Sequence, residues 1–318
     1  MEAATATPTR AVQPRKRRRK TANQEERSLA RKMIAPSLIL IALVAAYPIA
    51  YAVWLSLHEY SVINPGQSRW AGSLGLRNYS NAFSDPEFRA SIKNTAIFTV
   101  FSVFFELVLG LAMALIMHNA TRGKGVLRTI VLIPWAILTV VTAITWQTIF
   151  EPQLGFVNTA LRGLGLPGGD TVWLGQSPQA MEVLIIADVW KTAPFMALLI
   201  LAGLQVIPND VYDAAKVDGA TAWQRFRRIT LPLLTPAILV ALIFRTLDAL
   251  RIFDLPFVLT KGAFGTNTLS LQAYTVFKDN RIIGLGAAIS ILTFITVMIV
   301  SFIYIRFVGG NIKALTEE

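Results

Sequence analysis

The sequence predicts an all-helical integral membrane protein with six spans. Three observations carry that reading. Hydrophobic residues make up 54% of the 318 positions and charged residues only 15%, where a soluble domain carries about a quarter. The apolar residues come in blocks of about 20 or more, long enough to cross a bilayer, and mostly lack the alternating faces of a soluble helix. Lys and Arg collect on one side of those blocks.

The chain opens with residues 1–27, rich in Ala, Thr, Pro, Arg and Lys and including "RKRRRK" at 15–20. Such a segment cannot build a core and is expected to be a disordered basic tail. Placed just before a membrane segment, it keeps its side in the cytoplasm and touches anionic lipid, which suits it better than nucleic acid. Residues 28–318 are expected to form one transmembrane domain. Its first block, 33–57, holds 25 residues without an acidic or basic side chain. As a helix it is about 37 Å long, too long for the roughly 7–15-residue core of a cleaved signal. Five further spans are expected at about 92–117, 128–150, 182–207, 232–256 and 284–306.

Orientation follows from the basic residues. With the N-terminus inside, nineteen Lys and Arg fall in inner segments and seven in outer loops. The inner ones include Arg122, Lys124 and Arg128, then Lys216, Arg225, Arg227 and Arg228; the outer ones are Arg69, Arg77, Arg89, Arg162, Lys261, Lys278 and Arg281. Both termini are thus expected in the cytoplasm, with residues 208–231 on the same side.

Several charges lie at bilayer depth, where each costs roughly 2.5–3.5 kcal/mol on insertion scales. Arg245, Asp248, Arg251 and Asp254 recur every third residue with alternating sign, so neighbours can pair along one helix stripe. Asp188 and Lys191 make a similar pair in the fourth span, and Glu106 has no partner in its own. Two roles are open to these groups. They can line a polar path, with Trp135, Trp146, Trp190 or Phe253 offering ring faces beside it, or they can pair between helices, including those of a second subunit.

The polar passage "YDAAKVDGATAWQRFRRITLPLLTP", 212–236, interrupts the apolar pattern. Asn209 or Asp210 can cap a short helix, Gly219 permits a left-handed turn, and Thr221 can cap a second helix. Trp223, Phe226 and Ile229 would make an apolar face on that second helix, and Pro232 suits the first turn of the next span. Ala214 and Ala215 have almost no side chain, so another backbone can come close.

This passage resembles the cytoplasmic loop of permease subunits of bacterial ATP-binding-cassette importers. There the pattern is Glu-Ala-Ala, three residues, Gly, about nine residues, then Ile-x-Leu-Pro. Asp213, Ala214, Ala215, Gly219, Ile229, Leu231 and Pro232 fall on it, with Asp213 in place of the usual glutamate. The likeness spreads over most of 33–308. "VLIPWAI", "ADVWKTAPFMALLILAGLQVIP" and "FRTLDALRIFDLPFVLTKG" are similar to the sugar-importing branch, most of all to permeases of actinobacterial trehalose importers.

The resemblance implies a type I importer permease fold. It implies that Asp213, Ala214, Ala215, Asp218, Gly219, Phe226, Leu231 and Pro232 dock on an ATPase. The partners implied are two ATPase subunits carrying ATP and Mg, a second permease and an extracytoplasmic sugar-binding lipoprotein. The candidates for the sugar path are Glu106, Trp146, Asp188, Trp190, Lys191, Arg245, Asp248, Arg251, Phe253 and Asp254.

Other signals lead nowhere. "GLGLPG" at 163–168 matches a dinucleotide fingerprint, but no strand precedes it and Pro167 interrupts it. "NAT" at Asn119 falls on the inner side. No phosphate-binding loop occurs, so the chain is not itself the ATPase, and no cofactor, metal site or catalytic set is expected. There is no Cys, and His58 and His118 lie near opposite ends of different spans. An ion-driven secondary transporter would explain the intramembrane acids but not the Ala-Ala helix. A membrane glycosyltransferase would need a clustered catalytic set, which the sequence lacks.

Overall fold

A computed structural model describes residues 22–62, 74–120 and 122–316, with side chains described for 27, 29–62, 74–120 and 122–306. The basic run at 15–20, the tail before residue 22 and Arg69 lie outside those residues.

In chain order the helices are α1 (Ala22–Ile41), a π-turn (Ala42–Ala46), α2 (Tyr47–Ser56), α3 (Arg77–Ser84), α4 (Pro86–Asn119), α5 (Lys124–Ala136) and α6 (Thr139–Ile149). Then come α7 (Phe156–Gly163), a 3-10 turn (Trp173–Gly175), α8 (Gln179–Val206), α9 (Asn209–Val217) and α10 (Ala222–Arg225). A second π-turn (Phe226–Thr230) leads into α11 (Leu231–Ala249), followed by α12 (Asp254–Leu259), α13 (Leu269–Tyr274), a third π-turn (Thr275–Asp279) and α14 (Ile283–Thr316). No strand occurs among the described residues.

The chain divides into two units at Tyr51 and Ala52. The first is the long apolar helix built by α1 and the start of α2. Its large side chains, Leu38, Leu43 and Tyr47 among them, are exposed. That is the surface expected of a helix solvated by lipid.

The second unit is built around α8. Of the apolar stretch of α8, 67% is buried inside the chain, against 33% for α4 and 17% for the last span, which makes α8 the hub. Leu184 and Ala187 pack with Phe98 and Val103 of α4, Ala143 of α6 and Leu255 of α12. Further along, Met196, Ile200 and Leu204 pack with Ala114 and Met117 of α4 and Leu234 and Ala241 of α11. Close approach depends on missing side chains. A Cβ on Gly110 would lie 2.7 Å from Met196 Cγ, and one on Gly203 2.3 Å from Ala237 Cβ.

Among the described residues five helices are long and apolar enough to span a membrane, and the expected third span forms a sixth only as a bent pair. The block expected at about 128–150 is that pair, in which α5 and α6 meet at 87° across Ile137 and Leu138. Pro134 has no N–H for the carbonyl of Ile130, and Ile137 and Leu138 both adopt extended conformations. The fifth span, expected at about 232–256, lies within the apolar stretch Ala222–Leu259 but contains an interruption. Helix α11 stops at Ala249 and α12 restarts at Asp254. The connection to the last span is likewise no simple loop. Leu255, Leu259, Leu269, Leu271 and Ala273 bury themselves there. Asn94 and Thr95 of α4 tie it down through bonds to the Asn267 carbonyl (3.0 Å) and from the Leu269 N–H (2.9 Å).

Candidate functional site

The connection between α8 and α11 is a self-supporting knob. Helix α9 starts after Pro208, without the Asn209 or Asp210 side-chain cap expected from sequence. The reason is positional: both residues already lie inside the first turn, and Pro208 occupies the cap site in an extended conformation. The other end matches the sequence pattern. Gly219 has φ +76° and donates to Lys216 O (3.1 Å), while the Ala220 N–H reaches Ala215 O (2.9 Å). These two bonds close a Schellman turn that a side chain at Gly219 would strain.

Thr221 then caps α10 in a complete capping box. Its hydroxyl accepts from the Gln224 N–H (3.3 Å), and the Gln224 side chain accepts from the Thr221 N–H (2.8 Å). Asp213, Ala214, Asp218 and Gly219 are exposed and Ala215 is half-buried, so the small-residue face is open to a partner. Asp213 pairs with Lys216 at 2.8 Å along the surface.

The expected apolar face of α10 is altered by the π-turn at Phe226–Thr230, which shifts the helical register. Trp223 is exposed and stacks on half-buried Phe226 at 5.5 Å. Leu231 and Pro232 lie exposed at the root of α11. Tyr212 Oη and Thr230 Oγ1, 3.1 Å apart, tie α9 to that root. A cavity of about 680 Å³ lies behind the knob, lined by Tyr212, Trp223 and Phe226 and by Leu115 and Leu204 from α4 and α8.

A buried charge network joins three spans. Arg245 of α11 is 2% exposed, Glu106 of α4 is 0% and Asp188 of α8 is 2%, so their mutual contacts and not water must satisfy them. The guanidinium grips Glu106 with two nitrogens, Nε on Oε2 and Nη2 on Oε1 at 2.7 Å, and also reaches Asp188 Oδ2 at 2.5 Å. Its remaining nitrogen meets the largely exposed Asp248 at 2.8 Å. Ser102 lies within hydrogen-bond distance of Asp188 (2.5 Å) and Glu106 (2.9 Å), and Thr192 donates to Glu106 at 2.7 Å. The geometry is a pin between helices. A planar five-donor fork can grip one carboxylate with two nitrogens while reaching a second, a bidentate geometry that an ammonium does not offer.

Several sequence expectations change here. Glu106 does have a partner in its own helix, Ser102 one turn earlier. Asp188 does not pair with Lys191; it turns to Arg245, while Lys191 Nζ donates to the carbonyls of Ile137 (2.6 Å) and Trp135 (3.4 Å). The four-charge ladder of the fifth span is not continuous, because the helix breaks between Asp248 and Asp254. Only its first pair, Arg245 with Asp248, forms as expected. Arg251 is exposed and bonds its own Leu247 carbonyl (3.1 Å), and Asp254 is exposed at the start of α12. Ser102 and Thr192 went unnoticed in the sequence. Each stands four residues from an intramembrane acid, Glu106 and Asp188, and that spacing is the signal.

Aromatic candidates form two groups. Trp146 of α6 meets Trp190 of α8 edge-on at 5.9 Å, and both line an apolar cavity of about 780 Å³ with Phe101 and Phe105. Phe253 stacks instead on Phe257 (5.3 Å) and packs against Tyr274 (5.1 Å).

Comparison with known proteins bears on the whole arrangement. Residues 106–311 match the family described as "Binding-protein-dependent transport system inner membrane component". The chain is 43% identical over 285 residues to the trehalose transport system permease protein SugA of Mycobacterium tuberculosis, covering 90% of both. It is 44% identical over 283 residues to the trehalose/maltose transport system permease protein MalF of Thermococcus litoralis, covering 88% of this chain and 94% of that one. Its fold is similar to a chain in the crystal structure of a bacterial transporter that imports the acidic polysaccharide alginate. There the TM-score is 0.76 at 23% identity, covering 90% and 97% of the two chains.

Proposed function

The chain belongs to the binding-protein-dependent permease family of ATP-binding-cassette importers, and on that footing we propose that it carries a sugar of the trehalose or maltose class across the inner membrane. It is a transport subunit; ATP and Mg belong to separate ATPase subunits, and a substrate-binding protein delivers the sugar. Two relatives above 40% identity along most of the chain, both permeases for such disaccharides, support the substrate class. A second permease completes the pathway. Both termini and the α9–α10 knob are assigned to the cytoplasm, as the distribution of Lys and Arg favours.

The observation that carries the reading is the knob. It is closed by a Schellman turn and a capping box, presents Ala214 and Ala215, and is rooted in α11 through Thr230. An ATPase groove that moves this knob moves the base of α11. Arg245 lies about 21 Å further along that helix, and its grip on Glu106 and Asp188 makes α4 and α8 follow as one body. Exposed Asp248 and the Trp146–Trp190 pair are then candidates for contact with a sugar in transit.

The test is purification of the assembled complex in mild detergent and an ATPase assay in lipid nanodiscs with the binding protein and candidate sugars. Trehalose or maltose should stimulate hydrolysis, and Ala215→Trp should abolish the stimulation while leaving membrane insertion intact. Full stimulation in that variant refutes docking at the knob. Stimulation by an unrelated solute alone refutes the substrate class.

A further inference from the structure

The break between α5 and α6 leaves an account to close. In an unbroken helix the carbonyls of Trp135, Ala136 and Ile137 would accept from the N–H groups four residues on. The bend turns those donors away, and inside a membrane no water replaces them. Lys191 supplies the missing partner. Its ammonium crosses from α8 and donates to Ile137 O at 2.6 Å and, more weakly, to Trp135 O at 3.4 Å. One turn further along α8, the Phe195 ring stacks on Trp135 at 5.6 Å and 13°. The end of α5 is therefore gripped twice by the hub helix, once through its backbone and once through its last aromatic ring. A positive charge at a helix C-terminus also complements the helix dipole.

The consequence falls on α6. Its direction is set by the bend, and it carries Trp146, whose ring meets Trp190, the chain neighbour of Lys191. We propose that Lys191 is a positioning residue: by capping the Ile137 and Trp135 carbonyls it holds the third span in its bent form and so sets Trp146 against Trp190. This assigns Lys191 neither to the charge network of Arg245 nor to direct contact with sugar. The proposal rests on the transport reading above only for its consequence, since the bend itself can be measured without transport.

The chain has no cysteine of its own, so spin labels at Val126→Cys on α5 and Thr148→Cys on α6 report this bend in the assembled transporter in nanodiscs. At 87° the two backbone positions are about 24 Å apart; in a straight helix they would be about 33 Å apart. Lys191→Met should shift the distance distribution toward the longer value, and Lys191→Arg, which keeps the donors, should restore the short one. Sugar uptake should fall with the first variant and recover with the second. If Lys191→Met does not assemble, Lys191→Ser, too short to reach either carbonyl, replaces it with the same two outcomes. An unchanged distribution without the lysine donor overturns the proposal, whatever uptake does. Sugar-stimulated ATPase in the unsubstituted protein, measured in the same preparation, tests the transport reading separately.

Discussion

Replacing Arg245 with Met tests whether the charge network is a pin or part of a wet path. Methionine nearly matches the arginine stem in length and keeps its apolar packing, so the loss is confined to the guanidinium. In the structure that group satisfies two carboxylates that are 0% and 2% exposed. Removing one partner of a buried pair costs about 3–5 kcal/mol because the other charge is left uncompensated. The third contact, to Asp248, adds little: that side chain is 68% exposed, and exposed pairs contribute about 0–1 kcal/mol. The expected loss is therefore about 3–5 kcal/mol, or about 150-fold to 5,000-fold in the folded-to-unfolded ratio. It can be read from the SDS-unfolding midpoint of the solubilised complex followed by tryptophan fluorescence.

The companion experiment removes the acids as well. Combining Arg245→Met with Glu106→Gln and Asp188→Asn leaves no buried charge, and replacement of a whole buried network is often neutral or stabilising. The triple variant should recover most of the loss. A single variant as stable as the unsubstituted protein would show that water already solvates the acids. A triple variant less stable than the single one would show that the charges were not the source of the cost.

Further expectations follow from neighbouring features. Gly219→Pro cannot adopt φ +76° and removes the N–H donated to Lys216; insertion should persist and sugar-stimulated ATPase activity should vanish, measured on the purified complex. Thr221→Ala opens the capping box of α10 and should cost about 1 kcal/mol, seen as coupling lost at a lower temperature than in the unsubstituted transporter. Gly203→Leu drives a side chain into Ala237, already 2.3 Å from a bare Cβ, and should separate α8 from α11 and reduce assembled complex on size-exclusion chromatography, whereas the exposed neighbour change Ala202→Leu should not. Trp190→Ala should lower sugar uptake while leaving the unfolding midpoint within about 1 kcal/mol of the unsubstituted value, since the ring is 39% exposed; equal loss of both would make it a packing residue only.

Membrane class, the number of apolar blocks and the central turn of the knob were determined by the sequence alone. Each depends on local properties. Twenty apolar residues in a row cannot be solvated by water wherever they end up. Gly219 and Thr221 act within a few residues, and so the left-handed turn and the Thr221 cap could be read in advance, whereas the uncapped start of α9 and the π-turn at Phe226–Thr230 could not. The intramembrane charges could be found but not paired. Asp188 has Lys191 three residues away, yet bonds Arg245, 57 positions on, because a helix places its residues on a face and only packing decides what that face meets. The same holds for Lys191, whose partners are backbone carbonyls that become available only because α5 breaks. Pro134 was visible in the sequence. That the span would bend by 87° there, and that an ammonium from another helix would close the gap, depended on α8 passing alongside, since in a membrane the groups freed by a broken helix must find their partners in the surrounding protein.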